Sequence, residues 1–128
     1  MKKIQISISK KLELVTVKLN KLNASEVNLF IKGIETYFDE SLSYEQQQRL
    51  YGIRTDLIEH TQLNCKFWQD DWDYYIVCKR LNKDMLLALS RALKCGIKSW
   101  DRQYKGYKEI EQESFCKEFQ KEVEGIIK

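Results

Sequence analysis

The stretch Asp84–Lys108, DMLLALSRALKCGIKSWDRQYKGYK, limits the fold more than any other part of the chain. At about 100° per residue, Met85, Leu86, Leu89, Ala92, Leu93, Ile97, Trp100, Tyr104 and Tyr107 gather on an arc roughly 140° wide. Arg91, Lys94, Lys98, Arg102 and Lys105 fall opposite, within roughly 80° of each other. The spacing predicts one long amphipathic helix. Asp84 is its expected N-cap, since a carboxylate there can accept from an orphan backbone N–H. Such a helix must lay its apolar face on a second layer, which the rest of the chain has to supply. Gly96 falls on the apolar side, where a missing side chain would admit another element closely.

The remainder reads as two hairpins and three further helices. Ile4, Ile6 and Ile8 alternate with polar residues, the pattern of a half-buried strand over Lys2–Ser9. Lys10-Lys11 is the expected turn, although a tight two-residue hairpin prefers glycine or asparagine. Leu12–Leu19 is the returning strand, with a bulge predicted where the alternation changes phase between Leu14 and Val15. Ser25, with Asn28 three residues on, is the expected cap of a helix whose shared face is Val27, Phe30, Ile31, Ile34, Tyr37 and Phe38. Ser43 is the expected cap of a second helix, Tyr44–Thr61, with Leu50, Tyr51, Ile53, Leu57 and Ile58 on one face. Cys65–Arg80 returns to strand composition around Asp70-Asp71, which predicts a second hairpin with those aspartates at its turn. Beyond the long helix, Phe115, Cys116, Phe119, Val123, Ile126 and Ile127 share a new face. A kink or break near Gly106–Gln112 accounts for the change of phase.

The element order is thus ββααββαα. The expected fold class is α+β: a small, mostly antiparallel sheet of two hairpins packed with about four helices, in one domain spanning 1–128. The order repeats, but the two halves show no residue-by-residue similarity, so duplication is not the favoured reading. At 128 residues the chain can bury a core without a staple, and 43% hydrophobic residues suit a globular protein. The absence of proline argues against an extended linker.

Several function classes lose support. Met1–Ser9 alternates rather than forming an apolar run, so no secretory signal is expected, and no stretch approaches about 18 apolar residues, so no membrane partner is expected. The four cysteines are widely spaced with no CxxC, which favours free thiols in a reducing cytoplasm over a zinc site. No nucleophile elbow, zinc-protease, phosphate-loop or dinucleotide motif occurs, and no cofactor or metal is expected. His60 with Cys65 would make a nucleophile–base pair only if the fold joined them.

Charge is distributed in blocks: +5 over residues 1–22, −6 over 23–78, +7 over 79–108 and −3 over 109–128. Such alternation serves either internal complementarity or separate contact patches. The stripe Arg91, Lys94, Lys98, Arg102 and Lys105 is a solvated helix face on its plainest reading, and a surface for phosphates or an acidic protein on its functional one. Trp68, Asp70, Asp71 and Trp72 form a second candidate surface, because an alternating strand cannot bury every aromatic of FWQDDWDYY. Asp70, Asp71 and Asp73 would also suit a divalent cation, though weakly. Trp100, Tyr104 and Tyr107, interleaved with cations, could stack on bases, but they lie on the arc assigned to the core.

The expected function is a small, non-enzymatic binding protein that occupies a macromolecular surface. Its expected partner is another protein or protein complex, and an accessory or inhibitor protein of the kind a phage or mobile element encodes has this size. Nucleic acid, met by the basic helix face, is the alternative partner. A small enzyme with a carboxylate or histidine site assembled by folding is the alternative class, and exposed aromatics would equally serve a homodimer.

Overall fold

A computed structural model of the chain describes the backbone of residues 2–104 and 110–127, and the side chains of 2–99 and 112–127. The order is β1 (Ile4–Ile8), β2 (Val15–Leu22), α1 (Ala24–Thr36), α2 (Tyr44–Glu59), β3 (Lys66–Asp70), β4 (Asp73–Leu81), α3 (Lys83–Tyr104) and α4 (Ile110–Ile127). The four strands form one antiparallel sheet in the order β1-β2-β4-β3, so the fold is the α+β class expected. No helix among the described residues is long and apolar enough to cross a membrane.

The first hairpin pairs Ile4 with Leu19 through Ile8 with Val15. Its loop is longer than the Lys10-Lys11 turn expected, and β2 starts at Val15 instead of Leu12. The Ser9 N–H donates to the Leu14 carbonyl at 2.8 Å, and the Glu13 N–H to the Ser9 carbonyl at 2.8 Å. Glu13 takes the left-handed conformation, φ 54°, that a glycine or asparagine would otherwise supply. The bulge lies elsewhere too. Register shifts fall between Val15 and Val17 and between Leu19 and Leu22, against β4 rather than at Leu14.

Those shifts show a symmetry that the sequence does not advertise. Val15 pairs with Leu81 and Leu22 with Tyr74; Val17 pairs with Cys78 and Leu19 with Ile76; Lys18 pairs with Val77 at the centre. One constant offset carries Val15, Val17, Leu19 and Leu22 onto Tyr74, Ile76, Cys78 and Leu81, so the ladder maps onto itself by a local two-fold. Each strand ends in the same device. Lys21 and Arg80 adopt left-handed φ angles of 54° and 60°. The extra residue turns Leu22 and Leu81, three positions after the inward Leu19 and Cys78, into the core as well. Asn23 and Asn82 follow immediately and cap α1 and α3.

These asparagines replace the caps expected at Ser25 and Asp84. Asn23 accepts from the Glu26 N–H at 2.8 Å while Glu26 accepts from the Asn23 N–H at 3.0 Å, a reciprocal capping box. Asn82 accepts from the Met85 N–H at 2.8 Å, which places Asp84 in the first turn of α3. Asn23→Ala and Asn82→Ala are each expected to cost about 1 kcal/mol, read as a lower urea midpoint with unchanged slope. Ser43 caps α2 as expected, boxed with Gln46. Glu26 is buried, and the Lys3 Nζ lies 2.6 Å from its carboxylate and 5.6 Å from the centre of the Phe115 ring, linking the β1 end, α1 and α4.

The core lies between the sheet and the helix layer. Val15, Val17, Leu19, Leu22, Ile76, Cys78 and Leu81 face inward against Phe30, Ile34, Leu86, Leu89, Leu93 and Phe119. Phe30 meets Phe115 and Phe119 edge-on, with ring centres at 5.8 and 5.9 Å. Helices α1 and α3 cross closely because Gly33 and Gly96 lack side chains. A Cβ on Gly96 would stand 2.8 Å from the Leu29 carbonyl oxygen, the close approach expected there, and one on Gly33 would stand 2.2 Å from that of Ala92.

Three apolar assignments need correction. Phe38 lies past the end of α1 and is exposed. Tyr51 and Ile58 on α2 are also exposed, and the buried positions of that helix include Asp56 instead. Phe115, Cys116, Phe119 and Val123 of α4 are buried as expected. Trp100, Tyr104, Tyr107 and most of the Gly106–Gln112 break lie outside the described side chains.

Candidate functional site

Strand alternation sends every second side chain away from the helix layer, and among the described residues that face of the sheet is free of helices. On β3 that face carries Lys66, Trp68 and Asp70; on β4 it carries Asp73, Tyr75, Val77 and Lys79; on β2 and β1 it carries Thr16, Lys18, Gln5 and Ser7. The register arranges these in rows. Gln5, Lys18, Val77 and Lys66 run straight across the sheet; Tyr75 and Trp68 are opposite each other in the next row, and Asp73 and Asp70 in the one after.

The aromatic row is the feature that marks this face. The Trp68 and Tyr75 rings lie nearly parallel, 7° apart in plane, with centres at 5.3 Å. Trp68 is 44% exposed and Trp72, in the turn beyond, is 89% exposed. The turn closes on Asp71, at φ 55°, so the aspartates of this segment do sit at the hairpin tip. Partial burial, followed by the carboxylates of Asp73, Asp70 and Asp71, pushes the Tyr75 hydroxyl pKa up, so the ring stays neutral at physiological pH.

Toward the other end of β3 the face turns basic. A cavity of about 180 Å³ opens there, lined by Arg49, Gln62, Leu63, Asn64, Cys65, Lys66, Val77 and Lys79. None of these residues is acidic. Arg49 reaches it from α2 and donates to the main-chain carbonyls of Lys79, Arg80 and Asn64, so its charge is held in place by neutral acceptors. Sequence reasoning missed Arg49: its charge is ordinary for a helix surface, and only the fold brings it beside Lys66 and Lys79.

The cavity wall depends on a buried carboxylate. Asp56 is fully buried near the end of α2 and accepts from the Leu63, Asn64 and Cys65 N–H groups at 3.2, 2.5 and 2.9 Å, and from the Thr61 hydroxyl. Burial pushes its pKa up, but hydrogen bonds from Thr61, Asn64, Cys65 and Leu63 outweigh that and hold it below the ordinary carboxylate value. Gln62 adds a side-chain rung to the β3 edge: Phe67 N–H donates to Gln62 Oε1 at 2.8 Å, and the Gln62 amide donates back to the Phe67 carbonyl.

The basic helix stripe is only partly described. Arg91, Lys94 and Lys98 are exposed on α3; the side chains of Arg102 and Lys105 lie outside the described residues. Arg91 contacts Asp39 at 3.5 Å. The Ser41 and Tyr37 hydroxyls and the Ser41 N–H, with Arg91 adding to them, hold the Asp39 pKa down to about 2.

The groups considered for chemistry are not gathered. His60 takes the left-handed C-cap position of α2 and stacks on Phe67, ring centres at 4.9 Å. Cys65 is buried, and hydrogen bonding with Cys78, then burial, raises its pKa far from that of a reactive thiolate. Asp70 and Asp71 are exposed at the hairpin tip. Among the described residues no three His, Cys, Asp or Glu side chains form a group that would hold a metal ion.

No known protein family, curated protein or solved structure matches the chain.

Proposed function

We propose that this chain is a non-enzymatic binding protein that works by laying the helix-free face of its sheet on a larger macromolecule. The exposed Trp68, stacked on the half-buried Tyr75, carries this reading. Two aromatic rings stacked on each other across paired strands, with Trp68 partly open to solvent, offer contact area with few rotors to freeze. Trp72 extends that area at the hairpin tip. The antiparallel ladder fixes the platform before any partner arrives, which lowers the ordering cost of binding.

The exposed cations of α3 are the competing contact surface, and one experiment separates the two. A photoreactive benzoylphenylalanine is placed at Trp72, at Lys98 or at Gln48 on α2, and each variant is irradiated in an extract of cells expressing the chain. Discrete cross-linked species are expected from Trp72 and not from Gln48. Cross-links concentrated at Lys98 would move the contact surface to α3, and identical patterns from all three positions would contradict a dedicated face.

A further inference from the structure

We infer that the occupant of the helix-free face is a single-stranded nucleic acid, with a base stacked on the Trp68–Tyr75 platform and its backbone drawn along the lysines beside it. The inference rests on the binding-face reading above and deepens it by naming the partner's chemistry.

Three observations point the same way. First, Trp68 is 44% exposed while Tyr75 stacks on it from the neighbouring strand, and every base has a π-face that stacks on an accessible aromatic ring irrespective of sequence. A base paired within a duplex hides that face, so the platform selects unpaired strands. Second, the neighbouring rows of the same face carry Lys66, Lys18 and Lys79, with Arg49 fixed at the cavity beyond. Lys66 precedes Trp68 by two positions, about 7 Å along the strand. The cationic rows and the stacked rings are therefore adjacent on one face. Third, the carboxylates on this face are confined to one end. Asp70 and Asp73 lie at the hairpin tip, on the far side of the aromatic row from the lysines, while Gln5, Ser7, Thr16 and Lys18 of β1 and β2 include no acid. A polyanion is thus attracted along the lysine rows beside the aromatic pair. An acidic protein would meet the same lysines, but it has no need of a flat ring stack.

The test is fluorescence anisotropy of a labelled twelve-nucleotide oligouridylate, an oligothymidylate of the same length and a matching duplex, at about 50 and about 200 mM salt. The single strands are expected to bind more tightly than the duplex. With about four phosphate contacts, affinity should fall by roughly 50-fold between the two salts. Trp68→Ala should weaken binding by about tenfold or more, within the range for losing one base–aromatic stack. Lys18→Glu with Lys66→Glu should weaken it further and flatten the salt dependence. Both sets of changes face solvent, and an unchanged melting temperature checks that the fold survives.

No binding to any oligonucleotide at the lower salt would overturn the inference. So would binding that ignores the sheet-face changes and disappears in Arg91→Glu, Lys94→Glu, Lys98→Glu. If oligonucleotides fail while Trp72 still cross-links to a discrete protein, the nucleic-acid assignment falls and the binding-face reading stands. If both fail, both fall.

Discussion

Gly33→Ala is expected to destabilise the protein by about 3 kcal/mol, at the upper end of overpacking effects. Alanine is the better helix former by about 1 kcal/mol, so propensity alone predicts the opposite sign. Space decides it. The new Cβ would stand 2.2 Å from the Ala92 carbonyl oxygen and 2.7 Å from its carbon. Those are backbone atoms of α3 and cannot rotate aside, so the two helices must separate. Separation would loosen the contacts of Phe30 and Ile34 with Leu89 and Leu93, all buried at that layer. Gly125→Ala is the control: its Cβ would meet nothing within 4 Å, and stability should hold or rise slightly. Urea unfolding of the two variants checks both signs. A Gly33→Ala protein as stable as wild type would mean that α1 and α3 do not cross at this contact.

Asp56→Ala carries the second large effect, also about 3 kcal/mol, because unmet buried donors are costly at roughly 1–3 kcal/mol each before partial rehydration. The change strands the Leu63, Asn64 and Cys65 N–H groups and the Thr61 hydroxyl together. Leu63 is largely exposed, so part of the loop can recruit water, which keeps the loss below the full sum. The pH dependence follows from the lowered pKa. A carboxylate whose folded pKa lies below its unfolded value contributes stability that is present above the unfolded value and lost as pH falls through the folded one. Wild type should therefore lose stability on acidification below the ordinary carboxylate range, and the difference from Asp56→Ala should shrink over that same window. Because the Asp56 loop forms one wall of the cavity beside Lys66, the variant should also bind oligonucleotide more weakly at neutral pH.

Much of the architecture was legible because it follows from periodicity. The arc from Met85 to Ile97 and the alternation of Ile4, Ile6 and Ile8 each state which side faces the core, and Ser43 states where a helix begins. The starts of α1 and α3 were harder. Asn23 and Ser25 are both good caps, as are Asn82 and Asp84, and the choice is made by the preceding strand. Left-handed Lys21 and Arg80 end the two central strands so that asparagine stands at the boundary. The shared Lys/Arg-Leu-Asn at these ends is too short to stand out as a repeat, so the two-fold appears only in the strand register.

The candidate site divides in the same way. That FWQDDWDYY could not be wholly buried is a consequence of alternation, and Trp68 and Trp72 are exposed accordingly. That Trp68 stacks on Tyr75 depends on hairpin register, which the spacing of Asp70 and Asp71 leaves open. Asp56 gave no signal at all. It reads as one more polar residue on an amphipathic helix, and its partners are backbone N–H groups seven to nine positions on, which any sequence would provide.

We propose the helix-free sheet face as the place where this protein meets its partner. Backbone amide and indole resonances followed by NMR during an oligouridylate titration test it most directly. The largest shifts are expected on Lys18, Lys66, Trp68, Tyr75, Val77 and Lys79, while Gln48 on α2 and Lys121 on α4 stay in place. Shifts centred on Arg91, Lys94 and Lys98, with the sheet face silent, would contradict it.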